Sequence, residues 1–124
     1  MGKEHATSVA LLVVTVILAS YAQLGWKARS LVHAASTERP LDYVWAMLSD
    51  PWIWSVLLST ALGSISWMLA LRRLELSVAF PAIAIVFVLI GFGAHFILGE
   101  SLSAARVAGL ALIIAGVSVV ALTE

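Results

Sequence analysis

The residues best suited to chemistry lie together near the end of the first apolar segment. Ser20, Gln23 and Lys27 follow the spacing i, i+3, i+7, which places them on one face of a helix. Tyr21 adds a phenol beside them, and Arg29 adds a second cation. Gln23 can donate and accept hydrogen bonds, whereas the lysine can hold an anionic head group. This pattern predicts a polar binding pocket with a cation at its mouth. The alternative is hydrogen bonding between helices beside an interfacial lysine.

Later segments add further candidates. Pro81 lies one turn into the third apolar segment, where it begins or kinks a helix and could shape a cavity. His95 is the one imidazole inside an apolar segment, and it is either a hydrogen-bonded neutral group or a proton relay. Gly109 and Gly116 lie seven residues apart and predict a dimer interface. Small and hydroxyl residues of the second segment are interpreted as packing contacts: Ser59, Thr60, Gly63, Ser64 and Ser66.

The composition indicates the surroundings of these segments. Of the 124 residues, 62% are hydrophobic and 11% are charged, and the mean hydropathy is +1.06. Soluble domains average about 45–50% apolar and about 25% charged residues, so a soluble globule is excluded. The formal net charge of zero argues against nucleic-acid binding. The sequence has no cysteine, which rules out disulfides and thiolate metal ligands. The chain is therefore expected to be a membrane protein.

Intervals without formal charge divide the chain into membrane-spanning helices. A helix needs about 20 apolar residues to cross roughly 30 Å of hydrocarbon. We therefore predict an all-α integral membrane protein with one domain over 1–124 and four helices, at about 7–26, 51–71, 77–98 and 104–122. Residues 27–50 are predicted to form an interfacial loop. Within that loop, residues 43–48 are apolar and contain Tyr43 and Trp45, which is typical of a short amphipathic segment at the membrane surface.

The distribution of basic residues leaves the orientation of the chain open. Four spans put both ends of the sequence on one side of the membrane. The basic residues then split three against four, with Lys3, Arg72 and Arg73 opposite Lys27, Arg29, Arg39 and Arg106. The positive-inside rule needs an excess of Lys and Arg on one side. Two alternatives follow: insertion in both orientations with antiparallel pairing, or one orientation fixed by the pair Arg72 and Arg73 or by a partner.

The acidic residues all lie outside the predicted spans. Antiporters driven by protons or sodium generally couple transport through an intramembrane carboxylate, so ion-coupled exchange is disfavoured. The sequence also lacks a nucleophile triad, a phosphate-binding loop and a metal-hydrolase motif. We therefore expect no enzymatic activity, no cofactor and no metal.

Several short motifs resemble those of EamA-type proteins in the drug/metabolite transporter superfamily. In chain order they are the run Gln23-Leu24-x-x-Lys27, the junction at residues 74–81, Gly99-Glu100-x-Leu102 and Arg106-x-x-Gly109. Together they touch all four predicted helices. Within this superfamily, the chain most resembles the four-helix subunits of aminoarabinose-phosphoundecaprenol flippases. It is also similar in architecture to the small multidrug resistance proteins.

The resemblance implies a small-multidrug-resistance-like bundle with several passes through a bacterial inner membrane. It implies movement of an undecaprenyl-phosphate-linked sugar or a similar anionic lipid. In that role, Lys27 and Arg29 hold phosphate, while Ser20, Tyr21 and Gln23 contact sugar or phosphate oxygens. The resemblance also implies a dimer, which is either a homodimer, antiparallel or not, or a heterodimer with a similar small subunit.

Two other functions stay open. A small-multidrug-resistance-like exporter of cations would have to couple to protons through His95, because Ala19 or Ser20 stands where those proteins have an essential glutamate in the first helix. A non-transporting accessory subunit would instead use the surface around Gly109 and Gly116 to hold its partner, and the polar face of the first helix would then serve packing.

Overall fold

Six α-helices make up the part of the chain that the structure, a computed structural model, describes, residues 2–123. They are α1 (Lys3–Ala34), α2 (Pro40–Leu48), α3 (Pro51–Ala70), α4 (Leu76–Ile83), α5 (Ile85–Leu98) and α6 (Ala104–Leu122). With α4 and α5 taken together, four segments are long and apolar enough to cross a membrane: Lys3–Ala34, Pro51–Ala70, Leu76–Leu98 and Ala104–Leu122. The prediction of an all-α protein with four spans is confirmed.

The segment predicted as a loop is largely helical. α1 continues to Ala34 instead of ending near residue 26, and α2 covers the predicted amphipathic segment. Residues 27–34 contain no proline or glycine to stop α1. Side chains of this extension also bind the following elements, because Tyr43 of α2 donates a hydrogen bond to Ser30 over 2.7 Å. Pro40 is the first residue of α2, a position that needs no backbone N–H.

α3 packs antiparallel along α1, and the two helices together supply most of the buried residues. Ile53 and Val56 of α3 are fully buried. Two serines of α3 donate hydrogen bonds across the interface to carbonyls of α1, Ser59 to Leu18 over 2.8 Å and Ser66 to Leu11 over 2.7 Å. In a membrane such bonds, together with close packing, hold helices together because lipid does not drive apolar helices into contact.

The third span is interrupted after the proline. Pro81 lies inside α4, and the single residue Ala84 separates α4 from α5. The Ala84 N–H bonds to the Pro81 carbonyl over 3.0 Å, a contact three residues back that tightens the turn. The prediction that Pro81 begins or kinks the span therefore corresponds to a kink, one turn beyond the proline. α5 packs against α1 at Gly93, where an added Cβ would lie 2.7 Å from Leu24 Cδ1.

α6 lies on the outside of the bundle. It contacts α4 and α5, yet none of its residues is buried. Its closest approach to α5 is at Gly91, where an added Cβ would lie 2.8 Å from Leu110 Cδ1. The helix begins at Ser103, whose hydroxyl accepts a hydrogen bond from the Arg106 N–H. Most of the surface of α6 is therefore free of contacts within residues 2–123.

Candidate functional site

A cavity of about 300 Å³ lies between α1, α3 and α4. Gln23 of α1 supplies its one amide side chain. The remaining walls are hydroxyl, small, aliphatic and aromatic residues: Thr15, Ala19, Ala22, Ser59, Thr60, Gly63, Ser64, Trp67, Phe80 and Ile83. Because α3 and α1 run antiparallel, Gln23 lies toward the 27–50 end of the cavity. Trp67 and Phe80 meet edge to face, 5.4 Å between ring centroids, toward the other end.

The hydroxyl groups of the wall face the cavity as acceptors. Each donates its proton to a backbone carbonyl, as Thr60 does to Val56 over 2.9 Å and Ser64 to Thr60 over 2.9 Å. Thr15 likewise donates to Leu11 over 2.8 Å. A hydroxyl oxygen has lone pairs left after donating, so these walls can accept hydrogen bonds from a bound molecule. The cavity can therefore accommodate a ligand with several hydroxyl groups and an apolar part.

Gln23 is the candidate binding residue that the structure places in the cavity. It forms no hydrogen bond with another side chain in residues 2–123, so both ends of its amide are available there. Lys27 follows it at i+4 on the same face of α1 and is exposed. Over the described part of the chain, no carboxylate forms an ion pair with this lysine. Lys27 is therefore an exposed cation one turn beyond the amide, outside the set of residues that line the cavity.

Two neighbouring candidates lie away from the cavity. Ser20 is buried, and its hydroxyl donates to the Val16 carbonyl over 2.7 Å. The hydroxyl of Tyr21 pairs with that of Ser55 on α3 over 2.8 Å, in an exposed position. Residues at the spacing i, i+3, i+7 share a broad face of a helix, so Ser20 can be buried at one edge of that face while Gln23 lines the cavity. The structure therefore keeps Gln23 and Lys27 together and assigns Ser20 and Tyr21 to contacts with other parts of the helices.

Arg29 belongs to a separate cluster at the N-terminus of α3. Asp50 caps α3 by accepting the Trp52 N–H over 2.9 Å. Its second oxygen binds the Arg29 guanidinium and lies 2.7 Å from His33 Nε2. Burial raises the pKa of Asp50, but hydrogen bonds from His33, Arg29 and the Trp52 N–H outweigh it and lower the pKa to about 2. The charge of Arg29 is thus already matched by a carboxylate.

The remaining candidates are spread over the other half of the bundle. Pro81 does not line the cavity, but its neighbour Phe80 does. His95 lies near the end of α5, with Nδ1 2.8 Å from the Glu100 carbonyl, and it is not part of this cavity. At Gly109 and Gly116 an added Cβ would meet no atom of residues 2–123 within 4 Å. These glycines therefore lie on a surface that this part of the chain does not cover.

The residues that the sequence analysis missed are those supplied by distant elements. Ser59, Thr60 and Ser64 were interpreted as packing residues, but all three line the cavity. Ser59 also donates a hydrogen bond to α1, and Ser66 contacts α1 without lining the cavity. Asp50 carried a usable signal, because an acidic residue directly before proline and an apolar run is a typical helix N-cap. The sequence around Trp67 and Phe80 gives no signal of their contact, because that contact depends on how α3 and α4 pack.

Fold and cavity together define a small integral membrane protein with a cavity between its spans. The chain is 37% identical over 111 residues to the "probable 4-amino-4-deoxy-L-arabinose-phosphoundecaprenol flippase subunit ArnE" of Pseudomonas aeruginosa, covering 90% of this chain and 94% of the relative. Two proteins of the same name from Pseudomonas fluorescens are 31% identical over 112 residues (90% of this chain, 94% of the relative) and 40% identical over 70 residues (56% and 61%). No family model and no solved structure matches the chain.

This chain therefore belongs to the family of the ArnE flippase subunits. The resemblance to the aminoarabinose-phosphoundecaprenol flippase subunits is confirmed, and with it the assignment to a multi-pass protein of the bacterial inner membrane.

Proposed function

We propose that the chain is a subunit of a flippase that moves undecaprenyl-phosphate-linked 4-amino-4-deoxy-L-arabinose, or a similar lipid-linked sugar, across the inner membrane. The relatives carry this function in their name. The observation that supports it most within the chain is the cavity that contains Gln23, followed one turn later by the exposed cation Lys27. The substrate keeps all its covalent bonds during such a movement, so the proposed role is transport and not enzymatic catalysis.

The chemistry of the cavity suits the separate parts of this lipid. The phosphate meets Lys27, which is the cation near the cavity without a carboxylate partner in residues 2–123, whereas Arg29 is paired with Asp50. Sugar hydroxyl groups bind Gln23 and the acceptor oxygens of Thr60 and Ser64. The polyprenyl chain lies against the apolar walls. A charge-assisted contact to phosphate is about twice as strong as a neutral hydrogen bond, so the lysine contributes most to binding.

We further propose that the working form contains a second small subunit, either another copy or a similar chain, which contacts α6. The relatives are named as subunits. None of the residues of α6 is buried, and Gly109 and Gly116 leave its backbone accessible to a second helix. A bundle of four spans, with a cavity of about 300 Å³ between α1, α3 and α4, leaves little room for a complete pathway, so a second chain would supply the missing wall.

The test is translocation of the lipid-linked amino sugar by Lys27→Ala. In membrane vesicles loaded on one leaflet, an amine-reactive reagent that cannot cross the membrane reports how much lipid has moved. We expect the rate to fall at least tenfold, because a phosphate without its cation partner loses about 1.4 kcal/mol or more. Lys27→Arg should keep most of the rate because it retains the charge. Lys3→Ala is the matched control, since that lysine lies at the opposite end of α1.

A wild-type rate in Lys27→Ala, at unchanged protein level, would contradict the proposed site. If Lys27→Ala kept the wild-type rate while Gly116→Leu abolished translocation, the chain would instead act as an accessory subunit through α6. A rate unchanged in Lys27→Ala but lost in His95→Ala would favour the proton-coupled exporter.

A further inference from the structure

A second cavity, of about 370 Å³, opens between α5 and α6 at the same end of the bundle as Lys27. Its walls are mainly apolar and include Ile90, Leu110 and Ile113. Glu100 and Arg106 are its two charged residues. We call this space the α5/α6 cleft. At Gly91 the Leu110 side chain of α6 packs directly against the backbone of α5, where an added Cβ would lie 2.8 Å from Leu110 Cδ1.

Hydrogen bonds to both the N–H and the carbonyl of Glu100 hold the turn that contains this residue. Gly99 adopts a left-handed conformation, with φ of 72°, which lets the chain reverse after α5. The Glu100 N–H then bonds to the Ala94 carbonyl over 3.1 Å. The Glu100 carbonyl accepts from His95 Nδ1 over 2.8 Å. The backbone of this residue is therefore held in place beside the cleft that Glu100 lines.

The guanidinium of Arg106 is oriented by the same connection. One of its nitrogens donates to the Ser101 carbonyl over 2.9 Å. Its backbone N–H donates to Ser103 Oγ, which caps α6. These contacts leave further guanidinium N–H groups unused, because arginine has five donors.

Some charged groups at the ends of the bundle are paired within the chain, whereas the two of the cleft are not. Asp50 is paired with Arg29, and Glu4 is paired with Arg73 over 2.9 Å. Glu100 and Arg106 form no ion pair with any residue from 2 to 123. A carboxylate and a guanidinium beside one apolar cleft are complementary to a molecule that has an ammonium, a phosphate and a hydrocarbon chain.

We infer that the α5/α6 cleft is a second head-group site, which selects the amino group of the transported lipid. Glu100 binds the sugar ammonium, Arg106 binds the phosphate, and the apolar walls hold the first part of the polyprenyl chain. This inference rests on the proposed function and deepens it, since Glu100 becomes the residue that distinguishes the amino sugar from neutral lipid-linked sugars.

The test is binding of two short-chain analogues to the purified full chain in detergent, measured by native mass spectrometry and by calorimetry. One analogue is aminoarabinose phosphate on a neryl chain; the other is its N-formyl derivative, which lacks the positive charge. We expect the wild type to bind the amine about tenfold more tightly, and Glu100→Gln to bind both equally. Arg106→Gln should weaken both analogues alike. Glu38→Gln is the matched control, because Glu38 is exposed in the 27–50 segment and should leave the preference intact.

The outcomes separate this inference from the proposed function. A preference that persists in Glu100→Gln, or a wild type that binds both analogues equally, overturns the amine site but leaves lipid transport standing. Displacement of the amine analogue by phosphatidylethanolamine at equal affinity also overturns it, because the cleft would then hold bulk membrane lipid. A wild type that binds neither analogue contradicts the proposed function as well.

Discussion

The two sides of the bundle are held together in different ways. α1 and α3 share a buried interface, with Ile53 and Val56 fully enclosed and two serine-to-carbonyl hydrogen bonds between the helices. α6 has no buried residue, and its two glycines face no atom of residues 2–123 within 4 Å. In lipid, helices associate through close packing and hydrogen bonds and not through hydrophobic burial. The α1–α3 side is therefore complete within the chain, while the α6 side is suited to a second chain.

The difference also separates the two places where a ligand can bind. The cavity of Gln23 borders the rigid α1–α3 interface, where helix positions are fixed by packing. The α5/α6 cleft lies on the loosely packed side, where the turn at Gly99 and the cap at Ser103 hold the charged residues instead. Variants that act on one side and spare the other test this division.

The largest expected effect is that of Gly25→Ala. A Cβ at this position would lie 2.5 Å from Val56 Cγ2, and Val56 is fully buried and stiff. Overpacking of this kind typically costs about 1–3 kcal/mol. We expect the free energy of unfolding to fall by about that amount in mixed micelles titrated with sodium dodecyl sulfate and followed by circular dichroism. Val56→Ala in the same background should restore part of the loss. Gly109→Ala is the control, and an equal loss there would mean that the two sides do not differ.

The next effect concerns association. Gly109→Leu with Gly116→Leu should weaken pairing at least tenfold, measured by energy transfer between labelled chains in liposomes, because the bulky side chains hold a second helix away. The free energy of unfolding of the single chain should not change. Ser118→Leu serves as the control, because nine residues along an α-helix place it on the side opposite Gly109. Pairing that survives the double substitution would place the interface elsewhere.

A pH effect is expected from the Asp50 cluster. The pKa of this carboxyl is about 2 in the folded chain against an ordinary value of 3.8. A lowered pKa means that the carboxylate stabilises the fold above about pH 4, and that this contribution is lost as the pH falls toward 2. Thermal unfolding between these pH values should show a fall in Tm that is smaller in Asp50→Asn. An identical pH dependence in both proteins would mean that the contacts with Arg29 and His33 do not stabilise the carboxylate.

The smallest effect is expected from single hydroxyl groups. Ser66→Ala removes a hydrogen bond between α3 and α1, and Ser118→Ala removes one within α6, where Ser118 donates to the Ile114 carbonyl over 2.8 Å. Hydrogen bonds between membrane helices contribute about 0.6 kcal/mol on average. We expect Ser66→Ala to lower the free energy of unfolding by about that amount and Ser118→Ala to leave it unchanged. The reverse order would contradict the division between the two sides.

Much of the fold follows from the charge-free intervals, because the cost of charge in lipid fixes where spans can lie. The extension of α1 to Ala34 does not follow from them, since it is stabilised by contacts with Asp50 and Tyr43 that depend on the folded chain. In the cavity, the neighbourhood of Gln23 and Lys27 could be predicted because it is set by one helix. The aromatic end formed by Trp67 and Phe80 could not, because it depends on the packing of two helices.

The most direct test of the central claim uses the purified wild-type chain in liposomes that contain undecaprenyl-phosphate-linked aminoarabinose, with and without any subunit that copurifies. The fraction of lipid amine protected from a membrane-impermeant reagent is followed over time. The account predicts that wild-type protein brings the initially protected lipid to the leaflet that the reagent reaches, so that its amine becomes labelled. With Lys27→Ala this labelling should be at least tenfold slower. Liposomes with wild-type protein that behave like protein-free liposomes, in the presence of the copurifying subunit, would contradict it.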